Sequence, residues 1–447
     1  MNSKGTADLP RKLEQRMRLR ALRADLEPLA RELYELSSAG SRQLWGELFD
    51  AQFEKDAAFR QKFYALAHEG MYEAQSRIAS RMLEKNSLEF SEVLLFQGIM
   101  DSIAWAMIGG QLCYARRLYK GHKQPSLVNS NFQSLMAFAE HMREREPGSM
   151  PLISDLTSFV QIGDVMCASQ DGLISLVEVK EGEHNRKVLN LVSFYHQTGC
   201  ERFRRIVRET ESASTVKQFE RVLRQHARME FLHDVMSAGV AHDPDSGVVV
   251  SIPEPTVIVE SWDLDLRNVI AQSQQRGWGY GVFGSIFIAA YSEEPWRRAG
   301  HVLFLSILRR YGDLDNDFCI IRLADCMQNP LAPPIFSRQL DKDVMFDAIF
   351  GRMNICIALS IPMLLAECER EGIHVRDATR RELAEARRHN AEPVLHGGKG
   401  VMFELDRASV MLLGGVLHRC IFHGQRAAST IRGILEKSKL LDPEVDA

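Results

Sequence analysis

Residues 159 to 180 carry the reading of this chain. They run Phe159-Val160-Gln161-Ile162-Gly163-Asp164-Val165-Met166-Cys167, pass through the polar turn Ser169-Gln170-Asp171-Gly172, and continue Leu173-Ile174-Ser175-Leu176-Val177-Glu178-Val179-Lys180. Two apolar runs rich in β-branched residues around a short Gly-containing turn predict two strands joined by a tight hairpin. Three charged residues interrupt these core-like strands: Asp164, Glu178 and Lys180. Because a strand alternates faces with period two, Glu178 and Lys180 share one face while Val177 and Val179 take the other. A turn centred near Asp171-Gly172 brings Asp164 roughly opposite Glu178.

Two carboxylates and a lysine on one patch of sheet repel or desolvate one another unless something compensates them. A hard divalent cation held by oxygen ligands is the natural compensation. The lysine then stands beside it, able to position water or face a phosphate.

The Asp…Glu-x-Lys pattern resembles the PD-(D/E)XK phosphodiesterase superfamily, whose fold is restriction-endonuclease-like. The resemblance spans roughly residues 130–210 and departs at one point, since Gly163 rather than proline precedes Asp164. It implies an α/β, mixed α+β chain with an αβββαβ core between a helical N-terminal domain and a mostly helical C-terminal region. It also implies a nuclease that uses Mg²⁺ or Mn²⁺. Asp164 and Glu178 would bind the metal with help from the Val179 carbonyl, and Lys180 would orient water or stabilise charge on the phosphate. Members of the superfamily often place a further carboxylate on the preceding helix, here Glu140, with Asp155 as its rival. A glutamine on the following helix often faces the site, and Gln197 holds that place. DNA is the expected nucleic acid, from the habits of the superfamily, and a restriction-like or antiviral defence setting is a fold-level analogy. The competing readings are an inactive nuclease-fold subunit that binds nucleic acid or scaffolds a larger complex, and a helical interaction protein in which the motif is chance.

At 447 residues the chain is expected to form two or three domains, placed at 1–126, 127–262 and 263–447. Its 45% hydrophobic and 26% charged residues are those of an ordinary soluble protein. A net charge of −4 excludes a globally basic nucleic-acid binder, so any such surface is local. The eight cysteines form no CxxC pair and mostly sit in apolar runs, which favours free thiols in a reducing cytoplasm. The polar, arginine-rich start is no signal peptide, and no apolar run reaches the length of a membrane span. The expected location is therefore cytoplasmic. The helical flanks suggest protein partners or a homo-oligomer.

Along the chain, residues 9–36 read as an amphipathic helix, 40–85 as further helix, and 88–119 as the most hydrophobic helix, with Asp101 and Trp105 one turn apart inside it. Lys120, His122 and Lys123 either close that helix electrostatically or touch phosphate. A helix over 129–146 precedes the hairpin, and another over 188–211 follows it. On the next helix, about 214–236, Lys217, Arg221, Arg224 and Arg228 recur at spacings of four, three and four and share a face. With Arg202, Arg204, Arg205 and Arg208 nearby, this stripe is the candidate phosphate-binding surface, the alternative being a solvated face balanced by Glu209, Glu211 and Glu220.

Beyond 263 the pattern predicts helix over 264–277 and 377–390, a strand over 317–323, a long apolar helix over 341–371 with Pro362 inside it, and a buried helix over 406–422. His396-Gly397-Gly398-Lys399-Gly400 lacks the Ser/Thr of a phosphate-binding P-loop and reads as a turn. His418, Cys420 and His423 lack zinc-site spacing and read as helix packing.

Overall fold

The computed structural model describes residues 21–46, 48–84, 87–121, 132–180, 182–245, 247, 249–252, 258–389 and 391–440. It is a mixed α/β protein whose sheets are small and antiparallel. The chain divides into two compact units, Pro28–Ile252 and Pro253–Ala447 together with Met1–Glu27. The expected boundary at 126/127 thus falls inside the first unit, whereas the one at 262/263 lies close to the observed division.

In the first unit, helices α1 (Glu27–Ala39), α2 (Phe49–Lys55), α3 (Ala57–Glu84), α4 (Phe90–Met107), α5 (Leu112–Leu118) and α6 (Phe132–Arg145) lead to the strands β1 (Met150–Ile153), β2 (Val165–Ala168) and β3 (Ile174–Val177). Then come α7 (Gly182–Thr198), α8 (Glu201–Thr210), α9 (Ala213–Ala238) and the strands β4 (Val240–His242) and β5 (Val249–Ser251). The helix expected over 88–119 is broken: Gly109 and Gly110 adopt φ of +60° and +69°, and α4 and α5 meet at 120°. Among the described residues no single helix is long and apolar enough to cross a membrane. The expected helix over 9–36 survives from Ala24 onward. Its first part, like His122 and Lys123, lies outside the described residues.

Helix α3 is tied to the sheet through Gln75, which is fully buried. Its Nε2 donates to the Pro151 carbonyl and its Oε1 accepts from Ile153 N–H, each at 2.9 Å. The amide thus satisfies one donor and one acceptor of β1, whose four residues are all buried. The N-terminal helices and the hairpin therefore share one core.

The sheet runs β1–β2–β3, all antiparallel. A helix and three strands follow one another in the expected order, but the αβββαβ core is not confirmed. Strand β4, where the αβββαβ pattern would add to this sheet, instead pairs with β5 in a separate two-stranded ribbon.

The second unit contains α10 (Asp263–Arg276), β6 (Trp278–Phe283), β7 (Ile286–Tyr291), α11 (Trp296–Leu308), β8 (Phe318–Arg322), α12 (Lys342–Ile349), β9 (Asn354–Ser360) and α13 (Ile361–Arg370). It continues with β10 (His374–Asp377), α14 (Arg380–Arg388), β11 (Leu395–His396), β12 (Lys399–Leu405), β13 (Ala408–Met411), α15 (Gly414–Phe422) and α16 (Ala427–Leu440). One sheet has the order β6–β7–β9–β8; the other joins β10, β12 and β11, with β13 on β12.

This region is mixed, with more helix than strand, but two sheets run through segments that the sequence led us to expect as helix. The long helix expected over 341–371 is α12, β9 and α13. Its central part is a strand buried on both faces, so its apolar run shows no alternation to separate it from a buried helix. Pro362 lies in the first turn of α13 behind the Ser360 N-cap, where its missing N–H costs nothing. The helix expected over 406–422 gives its first half to β13. The 396–400 segment is the expected turn, with His396 paired to Lys399 across Gly397-Gly398.

A candidate hydrolytic centre at the end of the hairpin

The hairpin closes as its residues dictate. Ser169 N–H donates to the Leu173 carbonyl, Gly172 N–H to Ser169, and Gly172 takes φ +77°. Strands β2 and β3 pair with Val165 opposite Val177. One step beyond that pair, Asp164 faces Glu178, and Asp164 N–H still donates to the Val177 carbonyl at 2.8 Å. The strands end there, so Asp164, Glu178 and Lys180 sit at the frayed end of the sheet rather than inside it.

Gly163 explains the departure from proline. Its φ is +76°, which proline's ring, fixed near −65°, does not reach. A Cβ there would also come within 3.2 Å of the Val177 carbonyl. The residue before Asp164 is thus a tight backbone crossing onto β3.

Asp164 Oδ2 accepts Val179 N–H at 2.7 Å. Asp155, in the turn after β1, is brought alongside because Ser154 N–H donates to the Asp164 carbonyl at 3.0 Å. Glu178 is engaged by the Lys180 ammonium and by Gln225 Nε2 of α9, the latter at 2.8 Å. Both charged side chains of that pair are nearly buried, at 13% exposure for Glu178 and 8% for Lys180. Burial, then the Glu178 charge, pushes Asp164 up to about 6, and the same two causes raise Asp155. Lys120, beyond the end of α5, is held below the usual lysine range by burial and then by Arg228, with Glu178 acting the other way. Its backbone N–H donates to Gln161 Oε1 at 2.7 Å, which docks α5 on the chain leading into Asp164.

Two expected members of the site lie elsewhere. Glu140 is exposed on α6, and its charge acts on Tyr72. The upstream carboxylate beside Asp164 and Glu178 is Asp155. Gln197 is exposed near the end of α7, within reach of Ser193. At 1.5 Å of rise per residue it stands about 22 Å along that helix from the end nearer Lys180. The glutamine that reaches the centre is Gln225, whose Oε1 is buried and has no hydrogen-bond partner among the described residues. The stripe held the signal for it: residues 217, 221, 225 and 228 follow helical spacing, so Gln225 lies on the face already marked by its cations.

On that face Lys217, Arg221 and Arg224 are exposed, while Arg228 pairs with Asp245 at 2.7 Å. The charges of Arg221 and Arg228 both act on Lys120, so the stripe borders the carboxylate centre. On α8 the acidic balance holds for two arginines: Glu220 bonds Arg204 at 2.6 Å and Arg208 at 2.8 Å.

Comparison with family models, with curated proteins and with solved structures finds no match. The chemistry of the site therefore rests on its own geometry. Lys180 pairs with Glu178 and its charge acts on Asp164, and oxygen donors such as Asp164, Glu178 and Asp155 suit a hard divalent ion. The trio is not a closed cage. Among the described residues, the group of three ligand atoms lying within 4.8 Å of one another is His196, His226 and Glu230.

Proposed function

We propose that the Asp164–Glu178–Lys180 centre hydrolyses phosphodiester bonds of nucleic acid, DNA in the first instance, with Mg²⁺ or Mn²⁺ as its metal. The observation that carries this reading is the meeting of Asp164 and Glu178 across the open end of β2 and β3, with Lys180 on the Glu178 side and Asp155 adjacent. Asp164, Glu178 and Asp155 are the oxygen donors for the cation. When bound, it supplies Lewis-acid polarisation of a phosphoryl oxygen and lowers the pKa of a water. The Lys180 ammonium places positive charge where negative charge grows on the phosphate. Gln225 holds the Glu178 carboxylate in place and presents an unsatisfied carbonyl oxygen beside it. Lys217, Arg221 and Arg224 hold backbone phosphates and set register without reading sequence.

A restriction-like or antiviral defence setting belongs to this proposal by analogy with proteins of similar motif. A second reading is favoured by the double engagement of Glu178 by Lys180 and Gln225: a nuclease-like module that binds nucleic acid without cutting it, inside a larger complex. Plasmid cleavage with and without Mg²⁺ or Mn²⁺ separates the two. Cutting that needs metal and disappears in both Lys180→Ala and Asp164→Ala supports hydrolysis. Metal-dependent cutting that survives both substitutions overturns it. Tight nucleic-acid binding with no cutting by any form selects the second reading.

A further inference from the structure

Helices α7 and α9 run side by side in the same direction: Asn185 meets Gln218 near their starts, and His196 meets His226 further on. Between those points Val188 and Val192 pack with Phe219, Val222 and Leu223 in one apolar seam. Four residues beyond Val192 comes His196, and four beyond Val222 comes His226, so each imidazole extends the seam by one turn. Glu230 follows His226 by four and lies on the same face of α9. The ring centroids of His196 and His226 are 4.2 Å apart. Glu230 Oε1 is 3.2 Å from His226 Nδ1, and that nitrogen is buried with no hydrogen bond in good geometry. One ligand atom from each of the three residues falls within 4.8 Å of the other two.

We infer that His196, His226 and Glu230 form a second metal site, for Zn²⁺, that clamps α7 to α9. Two imidazoles and a carboxylate are a donor set that zinc accepts with a fourth position left to water. Mg²⁺, which prefers oxygen ligands, is a poor occupant. Tetrahedral coordination with bonds of about 2.0–2.1 Å places ligand atoms about 3.3 Å apart, so closure needs only a shift of about 1.5 Å or less in side chains that are partly exposed. The bland alternative is an i,i+4 His–Glu pair, common on helices. It does not account for an imidazole from a second helix brought to within 4.2 Å of the first at the same point. The clamp would fix the helix that carries Gln225, and it shares no ligand with the Asp164 centre.

The test is a Zn²⁺ titration of the full chain by calorimetry in excess Mg²⁺, with wild type, His196→Ala, His226→Ala, Glu230→Gln and Asp164→Asn, each checked for helical content by circular dichroism. The expected result is one Zn²⁺ per chain for wild type and for Asp164→Asn. Affinity should be more than about tenfold weaker in each histidine variant and reduced in Glu230→Gln. Zinc should raise the thermal midpoint of wild type by several degrees and leave His196→Ala unmoved. His196 is exposed, so its removal leaves the fold intact and the comparison interpretable. No zinc binding by wild type overturns the inference. Binding unchanged in both histidine variants assigns the ion to other ligands, such as the free cysteines, and binding lost in Asp164→Asn assigns it to the hairpin; either result overturns it too.

Discussion

The hairpin centre of the first unit and the second unit treat their half-buried carboxylates differently. In the second unit arginines meet them, although burial still pushes Asp325 up to about 6 beside Arg322. Arg322 lies 3.2 Å from Asp325, Arg338 3.3 Å from Asp263, and Arg426 2.5 Å from Asp265, while Arg376 bridges Glu382 and Glu404 at 2.7 and 2.6 Å. In the hairpin centre of the first unit Asp155, Asp164 and Glu178 act on one another, Lys180 pairs with Glu178, and burial plus the Glu178 charge drives Asp164 and Asp155 up. A fold that only sought stability would pair or remove such charges. Charge concentrated without full compensation is instead what a cation-binding centre requires, and it costs stability that the rest of the unit supplies.

The largest expected effect is on chemistry. Lys180→Ala and Asp164→Asn should each lower metal-dependent cleavage by about a thousandfold or more, about 4 kcal/mol on the barrier. Asp164→Asn should at the same time leave the chain as stable as wild type, or more so at pH 8, in urea unfolding. An asparagine still accepts the Val179 N–H and ends the repulsion with Glu178. A clear loss of stability would mean that the carboxylates are structural, and the contrast between the units would fail.

Arg338 gives the matching test in the other unit. It is 6% exposed, donates to the Phe422 carbonyl and Asp263, and stacks on Trp262 at 5.6 Å. Arg338→Ala should cost about 3 kcal/mol, because it leaves a carboxylate and a carbonyl without their partner. Thermal unfolding followed by calorimetry should show this as a lowered transition, with cleavage lost only where the chain is unfolded.

An effect of similar size, confined to a pH window and with a defined sign, belongs to Asp101 in α4. Its carboxyl is buried and faces Ser158, which donates its N–H at 2.7 Å and its hydroxyl at 2.6 Å. Burial pushes the group up to about 7 from its ordinary 3.8. The folded chain keeps this proton to about pH 7, whereas the unfolded chain releases it near pH 4. Stability therefore falls as pH rises from about 4 to 7 and is level above. Asp101→Asn keeps a donor and an acceptor for Ser158 and should remove that decline, on the order of 4 kcal/mol across the window. Urea midpoints measured from pH 4 to 8 check it. Parallel slopes for wild type and variant would show that Asp101 is ionised in the folded state.

The smallest expected effect discriminates between two glutamines. Gln225→Ala should lower cleavage about tenfold by releasing Glu178. Gln197→Ala should leave the rate unchanged, and a rate loss in Gln197→Ala alone would move the site toward the end of α7.

The hairpin was legible because its signals are local. The turn Ser169–Gly172, the two apolar, β-branched runs that flank it and the intrusion of three charges depend on neighbours in the chain. The same holds for α10, α14 and β8, whose expected spans of 264–277, 377–390 and 317–323 match the observed elements closely. Locality also explains the failures. Strand β9 is buried on both faces, so nothing in its apolar run distinguishes it from helix, and Pro362 reads as a breaker or a first-turn residue depending on where the helix begins. Glu140 and Gln197 were chosen by order along the chain, which says nothing about which turn of a helix faces a strand end.

The sequence alone therefore determined the carboxylate pair, the lysine beside it and the helical spacing of the basic stripe, because each is a matter of residues a few positions apart and backbone periodicity. Tertiary structure alone decided that Asp155 is the third carboxylate and Gln225 the glutamine. It alone brought two imidazoles thirty positions apart into stacking distance. Those outcomes hang on where α9 lies against β3 and α7, and packing of that kind is set by the whole core at once.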